Sequence, residues 1–200
     1  MKINKKNSIS FKVLSSVTES NIKQLYNIHL KSLPNDIIHH FGYELEKKYI
    51  LKLIEKKKCK IILALSKNQT VGFVILKFGE FDMRKILDLK SILTFFLHSI
   101  INPILALRLI YQLSRKIKKP TQSCEIDYFA VSEDFKSIGI GKKLLKITEK
   151  VAKRKKNKKI FTKTYNQKLA YFYINKKKAV LLNKYKILNY IYFCVYWKIN

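Results

Sequence analysis

The chain has 200 residues, 48% hydrophobic and 12% aromatic, which is enough to bury a core without disulfide or metal staples and excludes an intrinsically disordered protein. The net charge of +29 favours anionic partners such as phosphates, nucleic acid or lipid headgroups. The three cysteines, Cys59, Cys124 and Cys194, are far apart and lack metal-ligand spacing, so we expect buried free thiols in a reducing compartment and no metal site. A polar, basic N-terminus without an apolar core segment predicts no signal peptide and a cytoplasmic protein.

The positive charge is not evenly spread along the chain. From Lys136 to Lys178 there are 16 Lys or Arg residues and one acid, Glu149. Lysine is abundant throughout, so part of this charge is a compositional bias on solvated faces. The remainder predicts a field that attracts phosphates, nucleic acid or anionic lipid to this half of the chain.

In the first half of the chain the pattern predicts two helices between strands. Residues 9–14, "ISFKVL", alternate as in a strand, and a helix then begins near Thr18 and ends before Pro34. A second helix is predicted at about 43–57. Residues 60–79 form the clearest hairpin, because two β-rich runs flank the polar turn "SKNQ".

Residues 83–119 form a long insertion with two alternative placements. The 17 residues between Lys90 and Arg108 carry no formal charge, yet a membrane span needs about 20 apolar residues and Pro103 interrupts the run. Polar residues recur at helical spacing, at Ser91, Thr94, His98 and Asn102. We expect one kinked helix or two, whose wide apolar face either packs on the domain and walls a substrate cleft or lies on a membrane surface or a partner.

The second half of the chain alternates strands and helices. The pattern predicts a strand at 123–131, a helix at 139–156, a strand at 158–165, a short helix at 166–176 opened by Asn166, and paired terminal strands at 185–199. This order of elements predicts an α/β fold built on a mixed sheet. Residues 1–200 are predicted to form a single domain, with 83–119 as a helical insertion.

Two glycines, Gly139 and Gly141, lie between a predicted strand and a predicted helix in the stretch "VSEDFKSIGIGKKLLKI". The first backbone N–H groups of a helix lack intrahelical acceptors, and the helix dipole adds positive charge there. Glycines let an anionic ligand approach this backbone, so a pyrophosphate is the expected ligand. Lys142 and Lys143 follow the second glycine where a Walker loop has Lys-Ser or Lys-Thr, which argues against a nucleoside triphosphatase.

The loop and its surroundings resemble the GCN5-related N-acetyltransferase (GNAT) superfamily. In the acyl-CoA pyrophosphate loop of that family a Gln or Arg stands three positions before the first glycine, and here Lys136 occupies that position. Asn166, Phe172 and Tyr173 match a second family signature, although its alanine is displaced by one residue and "INKKKAV" replaces the usual Lys-Leu-Gly-Phe. The resemblance covers about residues 9–199. It implies a mixed, mostly antiparallel sheet flanked by helices, with a V-shaped splay between strands four and five.

The resemblance also implies the reaction, which is transfer of an acetyl or other short acyl group from acetyl-CoA to an amine. The pantetheine arm and acyl carbonyl would lie against the backbone of Phe129, Ala130 and Val131, and Asn166 would contact the CoA arm. The pyrophosphate would bind the loop formed by Lys136, Ser137, Ile138, Gly139, Ile140, Gly141 and Lys142.

Acyl transfer to an amine needs a base for the amine, stabilisation of the carbonyl oxygen and an acid for the leaving thiolate. By its match to the family signature Tyr173 is the candidate acid, with Tyr171 as a second choice and a core aromatic as the alternative. Glu125 stands where several relatives carry a catalytic or water-relaying glutamate, and Asp127 shares its strand face. The alternative for Glu125 is a salt bridge to one of the many lysines.

The acceptor is predicted only as a class. Residues 29–50 resemble the acceptor-side helices of acetyltransferases from bacterial surface-polysaccharide gene neighbourhoods, which suggests a nucleotide-linked amino sugar or another small amine. A protein N-terminus or Lys is the second choice. His39, His40 and His98 are candidates for acceptor contact and do not form a metal pair.

Two alternatives without catalysis stay open at this point. The run "KRKKNKK" at 153–159 is typical of phosphate contacts in a basic nucleic-acid-binding protein, although no specific nucleic acid is expected because Arg is scarce. The segment 83–119 would suit a membrane-surface protein, and a peripheral contact at the inner face of the membrane is also compatible with the enzyme.

Overall fold

The structure, a computed structural model, describes residues 9–34, 36, 41–81, 88–89, 92–93, 96–97, 100, 102–114 and 117–199, with the backbone alone at 105, 109, 112 and 113. The predicted acceptor residues His39, His40 and His98, and the predicted polar positions Ser91 and Thr94, lie outside these residues.

Seven strands form a single mixed sheet. They are β1 (Ile9–Leu14), β2 (Cys59–Ser66), β3 (Gln69–Phe78), β4 (Ser123–Val131), β5 (Lys159–Thr164), β6 (Val180–Ile187) and β7 (Tyr190–Lys198). Their order across the sheet is β1-β2-β3-β4-β5-β7-β6, and every neighbouring pair is antiparallel except β4 and β5, which are parallel. The predicted α/β fold with a mostly antiparallel sheet is confirmed.

Within the described residues, five helices have defined bounds and pack around the sheet. They are α1 (Glu19–Ser32), α2 (Gly42–Glu55), α3 (Pro103–Ser114), α4 (Ile140–Arg154) and α5 (Gln167–Lys177). The side chains of Thr18 and Asn166 accept hydrogen bonds from the first turns of α1 and α5, which is why those helices begin where they do. A short 3-10 turn, Glu133–Phe135, links β4 to the loop before α4.

The helices divide between the two faces of the sheet. On one face α4 and α5 pack on an apolar core that includes Leu144, Tyr173 and Trp197. On the other face α1 and α2 pack over β2, β3 and β4. There α3 covers the far half, because its Tyr111 packs on an aromatic cluster with Phe161 of β5. On this face, α1 and α2 therefore lie on one side of the junction of β4 and β5, and α3 lies on the other side.

The start of the terminal strand pair differs from the sequence prediction. The terminal strands were predicted at 185–199, but the pair begins at Val180, because an exposed edge strand has no core-facing alternation to mark its start. In the insertion, α3 begins at Pro103. Proline suits the first position of a helix, so this start favours two helices over one kinked helix.

No helix in the described part of the chain has the length and apolarity needed to cross a bilayer. All three cysteines are buried, as predicted.

Candidate active site

The junction of β4 and β5 opens at the carboxyl end of the two strands. They pair over Ser123–Ile126 and Lys159–Thr162 only. Beyond that point β4 stays paired with β3 as far as Val131, and β5 stays paired with β7 as far as Thr164. Since no other strand among the described residues pairs with these inner edges, a gap opens between them, and the predicted splay is confirmed.

The open edge of β4 directs backbone polar groups into this gap. The N–H of Ser132 donates to the carbonyl of Val71 on β3 (2.9 Å), so the backbone of Ser132 faces β3. Because the direction alternates along a strand, the backbone groups of Phe129 and Val131 face the gap. The Val131 carbonyl accepts from the Ser32 hydroxyl at the end of α1 (3.2 Å). An extended ligand in the gap could pair with the strand edge as a further strand would.

A β-bulge at Asp127 changes which side chains of β4 face which helices. Ile75 is opposite Tyr128 and Leu76 is opposite Ile126, so Asp127 is the extra residue. Asp127 and Tyr128 consequently both face the α1 and α2 side, where Asp127 accepts a hydrogen bond from the Tyr49 hydroxyl and the Tyr128 ring contacts Tyr49. The bulge thus concentrates polar groups on that face at the point where the gap opens.

Glycine is favoured at the two positions of the loop before α4 for different structural reasons. Gly139 precedes the helix with φ +91°, a left-handed conformation that favours glycine, and a Cβ there would meet open space. Gly141 has an ordinary φ, but a Cβ would lie 3.3 Å from Cζ of Phe129, so the first turn of α4 rests directly on β4. Among the described residues no side chain caps α4, which leaves its first N–H groups available to an anion.

The side chains of the predicted pyrophosphate loop point in several directions. The ammonium of Lys136 pairs with Glu133, while Ser137 adopts φ +65° and Ile140 is buried. Ile138 packs against the core under α4, and Lys142 is exposed. The loop therefore offers mainly backbone groups to a ligand. This is the mode of binding expected when position 136 is Lys and not the Gln or Arg of the family pattern.

On α5 the predicted residues occupy an exposed helix start and a buried core. Asn166 is exposed, and its side-chain oxygen accepts from the N–H of Leu169 (3.0 Å). Tyr173 is 0% exposed and stacks on Trp197 with ring centroids 5.0 Å apart. Its hydroxyl has no hydrogen-bond partner among the described residues, and burial raises its pKa well above the ordinary value. Tyr171, the second choice, is half exposed and contacts Phe193.

Glu125 belongs to a buried network of opposite charges. Its carboxylate lies 3.0 Å from Nζ of Lys77 and 2.6 Å from Nζ of Lys119, and Lys77 also reaches Asp127 at 2.8 Å. Burial acts to raise the pKa of Glu125, but Lys77 and then Lys119 outweigh it and hold that pKa below its usual value. The predicted alternative, a salt bridge, is present, and the shared face of Glu125 and Asp127 is confirmed.

A second buried network lies beside the first one and was not predicted. Nδ1 of His29 on α1 lies 2.9 Å from Glu46 on α2, and Nε2 lies 3.4 Å from Asp36. Burial alone would lower the pKa of His29, but the two carboxylates raise it to about 9. His29 also contacts the ring of Tyr128. The sequence does contain a signal for this network, since His29 and Glu46 both lie at core-facing positions of predicted helices. Buried ionisable residues need partners, so the two could have been expected to pair.

The chain matches a known protein family. The model of the acetyltransferase (GNAT) family matches residues 22–175, which is more than half of the chain. The chain belongs to this family. Acetyl-CoA is therefore its acyl donor, and an amine receives the acetyl group. No curated protein matches the chain.

Solved structures share the whole fold at low sequence identity. A GNAT family acetyltransferase from Elizabethkingia anophelis with acetyl-CoA bound is 18% identical, with a TM-score of 0.56 over 96% of this chain and 99% of that chain. The ribosomal-protein-S18-alanine N-acetyltransferase from Escherichia coli is 8% identical, with a TM-score of 0.58 over 96% and 95%. The NatC complex bound to Gag peptide and CoA is 13% identical, with a TM-score of 0.61 over 96% and 99%.

Proposed function

We propose that this acetyltransferase acts on a primary amine of a small molecule, with a nucleotide-linked amino sugar as the first candidate. The observation that carries the proposal is the position of the gap between α1 and α2 on one side and α3 on the other. A compact acceptor suits a site flanked by helices on both sides, whereas an extended polypeptide needs an open groove.

Asp36 and Arg108 lie on the two sides of the gap. The carboxylate of Asp36, which follows α1, lies 3.4 Å from Nε2 of His29, whose ring contacts Tyr128 of β4. From the other side Arg108 of α3 donates to the hydroxyl of Tyr192 on β7 (2.9 Å).

The charge of the chain supports a phosphorylated acceptor. The net charge of +29 attracts anions from solution and raises their local concentration. The carboxylates on the acceptor side do not reverse this preference, since Glu125 and Asp127 are neutralised by Lys77 and Lys119.

We assign the donor to the gap and the loop. When bound, acetyl-CoA supplies the acetyl group as a thioester. Its pyrophosphate would be held by the backbone between Lys136 and Lys142 at the start of α4, and its arm by the open edge at Phe129 and Val131. The backbone of Ala130, which was also predicted to bind the arm, faces β3 instead. The exposed Asn166 is available to contact the arm as well as to cap α5.

We assign proton transfer to two groups on opposite faces of the sheet. Tyr173 would donate a proton to the leaving thiolate, and its hydroxyl, which has no hydrogen-bond partner among the described residues, supports this assignment. Glu125 keeps its negative charge between two ammonium groups. That charge supports a role in orienting a water that removes the amine proton, and it does not support storage of the proton on Glu125 itself.

The acceptor assignment is tested by release of free thiol from acetyl-CoA across a panel of amines. The panel holds a nucleotide-linked amino sugar, the same free amino sugar, a polyamine and a peptide with a free N-terminus. We expect the highest kcat/KM with the nucleotide-linked sugar. Turnover of the peptide alone would contradict the proposal.

The donor loop is tested by Gly139→Trp with Gly79→Trp as its matched control. Both glycines have positive φ, and at both a Cβ would meet open space, but Gly79 lies at the end of β3. Because the indole would occupy the backbone cradle, we expect acetyl-CoA affinity measured by calorimetry to fall about 100-fold or more for Gly139→Trp only. Equal affinity of the two variants would overturn the loop assignment.

A further inference from the structure

The segment before and within α3 displays an unusual amount of apolar surface. The described residues include 18 large hydrophobic side chains that are exposed, and nine of them lie between positions 89 and 110. These nine define the apolar patch, and their exposed fractions run from 41% to 82%: Leu89, Ile92, Leu93, Phe96, Leu97, Ile100, Ile104, Leu107 and Ile110. Exposed apolar side chains concentrated in one segment mark an interaction site more often than scattered apolar residues do.

The orientation of α3 shows that the patch is presented by the fold. The helix buries Arg108 to 4% exposure, where its guanidinium lies 3.9 Å from the ring centre of Tyr190 and donates to Tyr192. Ile104, Leu107 and Ile110, at successive helical spacing, are more than half exposed. An ordinary surface helix turns its charged side chains to water. The contacts of Arg108 therefore orient α3 so that Ile104, Leu107 and Ile110 face outward.

The charge around the patch selects among the surfaces that could cover it. Residues 84–119 contain eight Lys or Arg residues, including the buried Arg108, and one acid, Asp88. A second copy of the chain would bring another net charge of +29 to the same place, which opposes self-association. A bilayer with anionic headgroups offers apolar depth and the complementary charge together.

We propose that the apolar patch seats this acetyltransferase on the surface of a membrane rich in anionic lipid. The patch lies in the headgroup region, since no described helix is suited to crossing a bilayer. The acyl-transfer site lies between α1, α2 and α3, so the membrane contact is beside the acceptor side of the gap. This proposal does not depend on the identity of the acceptor.

The test is flotation of the full chain with vesicles of phosphatidylcholine alone or with about one third phosphatidylglycerol. The patch variant is I104Q/L107Q/I110Q, which removes apolar surface without changing the net charge. The control variant is V180Q/L181Q/L182Q, which removes three exposed apolar side chains of β6, between 41% and 50% exposed, outside the patch. Circular dichroism and thermal unfolding of both variants establish that they fold, as expected for substitutions of exposed residues.

We expect the wild type and the control to float with the anionic vesicles and the patch variant to lose about tenfold or more of its partitioning. Binding of the wild type should also weaken as salt is raised from 0.1 to 0.5 M, because a shorter Debye length screens the attraction between the basic residues and the anionic headgroups. Equal partitioning of patch variant and wild type would overturn the proposal, and so would no binding of the wild type to anionic vesicles. A wild-type dimer in light scattering that the patch variant lacks would assign the patch to a second copy instead.

Discussion

The two faces of the sheet are built in different ways. Under α4 and α5 the core is apolar and aromatic, and its buried hydroxyls on Thr148 and Thr162 donate to backbone carbonyls. On the face of α1, α2 and α3 the described residues include four buried charged or ionisable side chains: His29, Glu46, Lys77 and Arg108. Each of these has a partner of opposite charge or a hydrogen-bonded aromatic hydroxyl.

In the function proposed above, this difference separates donor binding from acceptor binding. The proposed donor loop at Gly139 and Gly141 offers backbone N–H groups, which need no side-chain charge to bind a pyrophosphate. The proposed acceptor face contains paired carboxylates and ammonium groups at the open end of β4, where the acceptor amine would lose its proton. A buried charge is expensive unless it is paired, so the networks on this face should dominate the effects of substitution.

The largest effect is expected from Lys77→Met. The ammonium of Lys77 lies between Glu125 and Asp127, and its pKa is raised because their charges outweigh the effect of burial. Its loss leaves two buried carboxylates with less compensation, which should cost about 3–5 kcal/mol in the free energy of unfolding. Chemical denaturation measures this cost. The control, Lys12→Met on the exposed edge strand, should change stability by less than about 0.5 kcal/mol; equal costs would mean that the network on the acceptor face does not stabilise the fold.

The second effect is a loss of stability at alkaline pH through His29. Its pKa is raised from 6.5 to about 9 in the fold, where burial opposes the shift and Asp36 and Glu46 outweigh it. A group with a raised pKa stabilises the fold below the unfolded value, and this contribution is lost as pH rises through about 9. Urea denaturation from pH 6 to pH 10 should show a decline of at most about 3 kcal/mol that His29→Gln lacks. The same decline in both proteins would assign it to other groups.

The sequence predicted local elements better than the contacts between distant parts of the chain, for physical reasons. The strand at 123–131 and the helix cap at Asn166 follow from local pattern, and the glycine loop follows from local backbone chemistry. The bulge at Asp127 arises from the pairing of β3 with β4, which are separated by the insertion, and no local pattern encodes it. His29 occupies an apolar position of α1, so its role appears only when α2 brings Glu46 beside it.

A third prediction asks whether Tyr173 on the apolar face acts in the reaction. The variant Tyr173→Phe removes a buried hydroxyl that has no partner among the described residues, so stability should stay constant or rise by about 1 kcal/mol. If the hydroxyl protonates the thiolate, kcat should fall about 10- to 100-fold with little change in KM for acetyl-CoA. Tyr171→Phe is the matched control and should keep its kcat. An unchanged kcat in Tyr173→Phe would leave this tyrosine as a core aromatic and make the division between the two faces sharper.

The smallest effect is expected at Asn166, where helix capping and donor contact can be separated. Asn166→Ala removes the acceptor for the N–H of Leu169 at the start of α5, which should cost about 1 kcal/mol of stability. Asn166→Ser restores a capping oxygen but has no amide to offer to the CoA arm. Calorimetry with acetyl-CoA should therefore show weaker binding for both variants, while denaturation shows a loss for the alanine variant alone. Full affinity in Asn166→Ser would show that Asn166 only caps α5, and the donor side would then bind its ligand through backbone groups and the loop without help from this side chain.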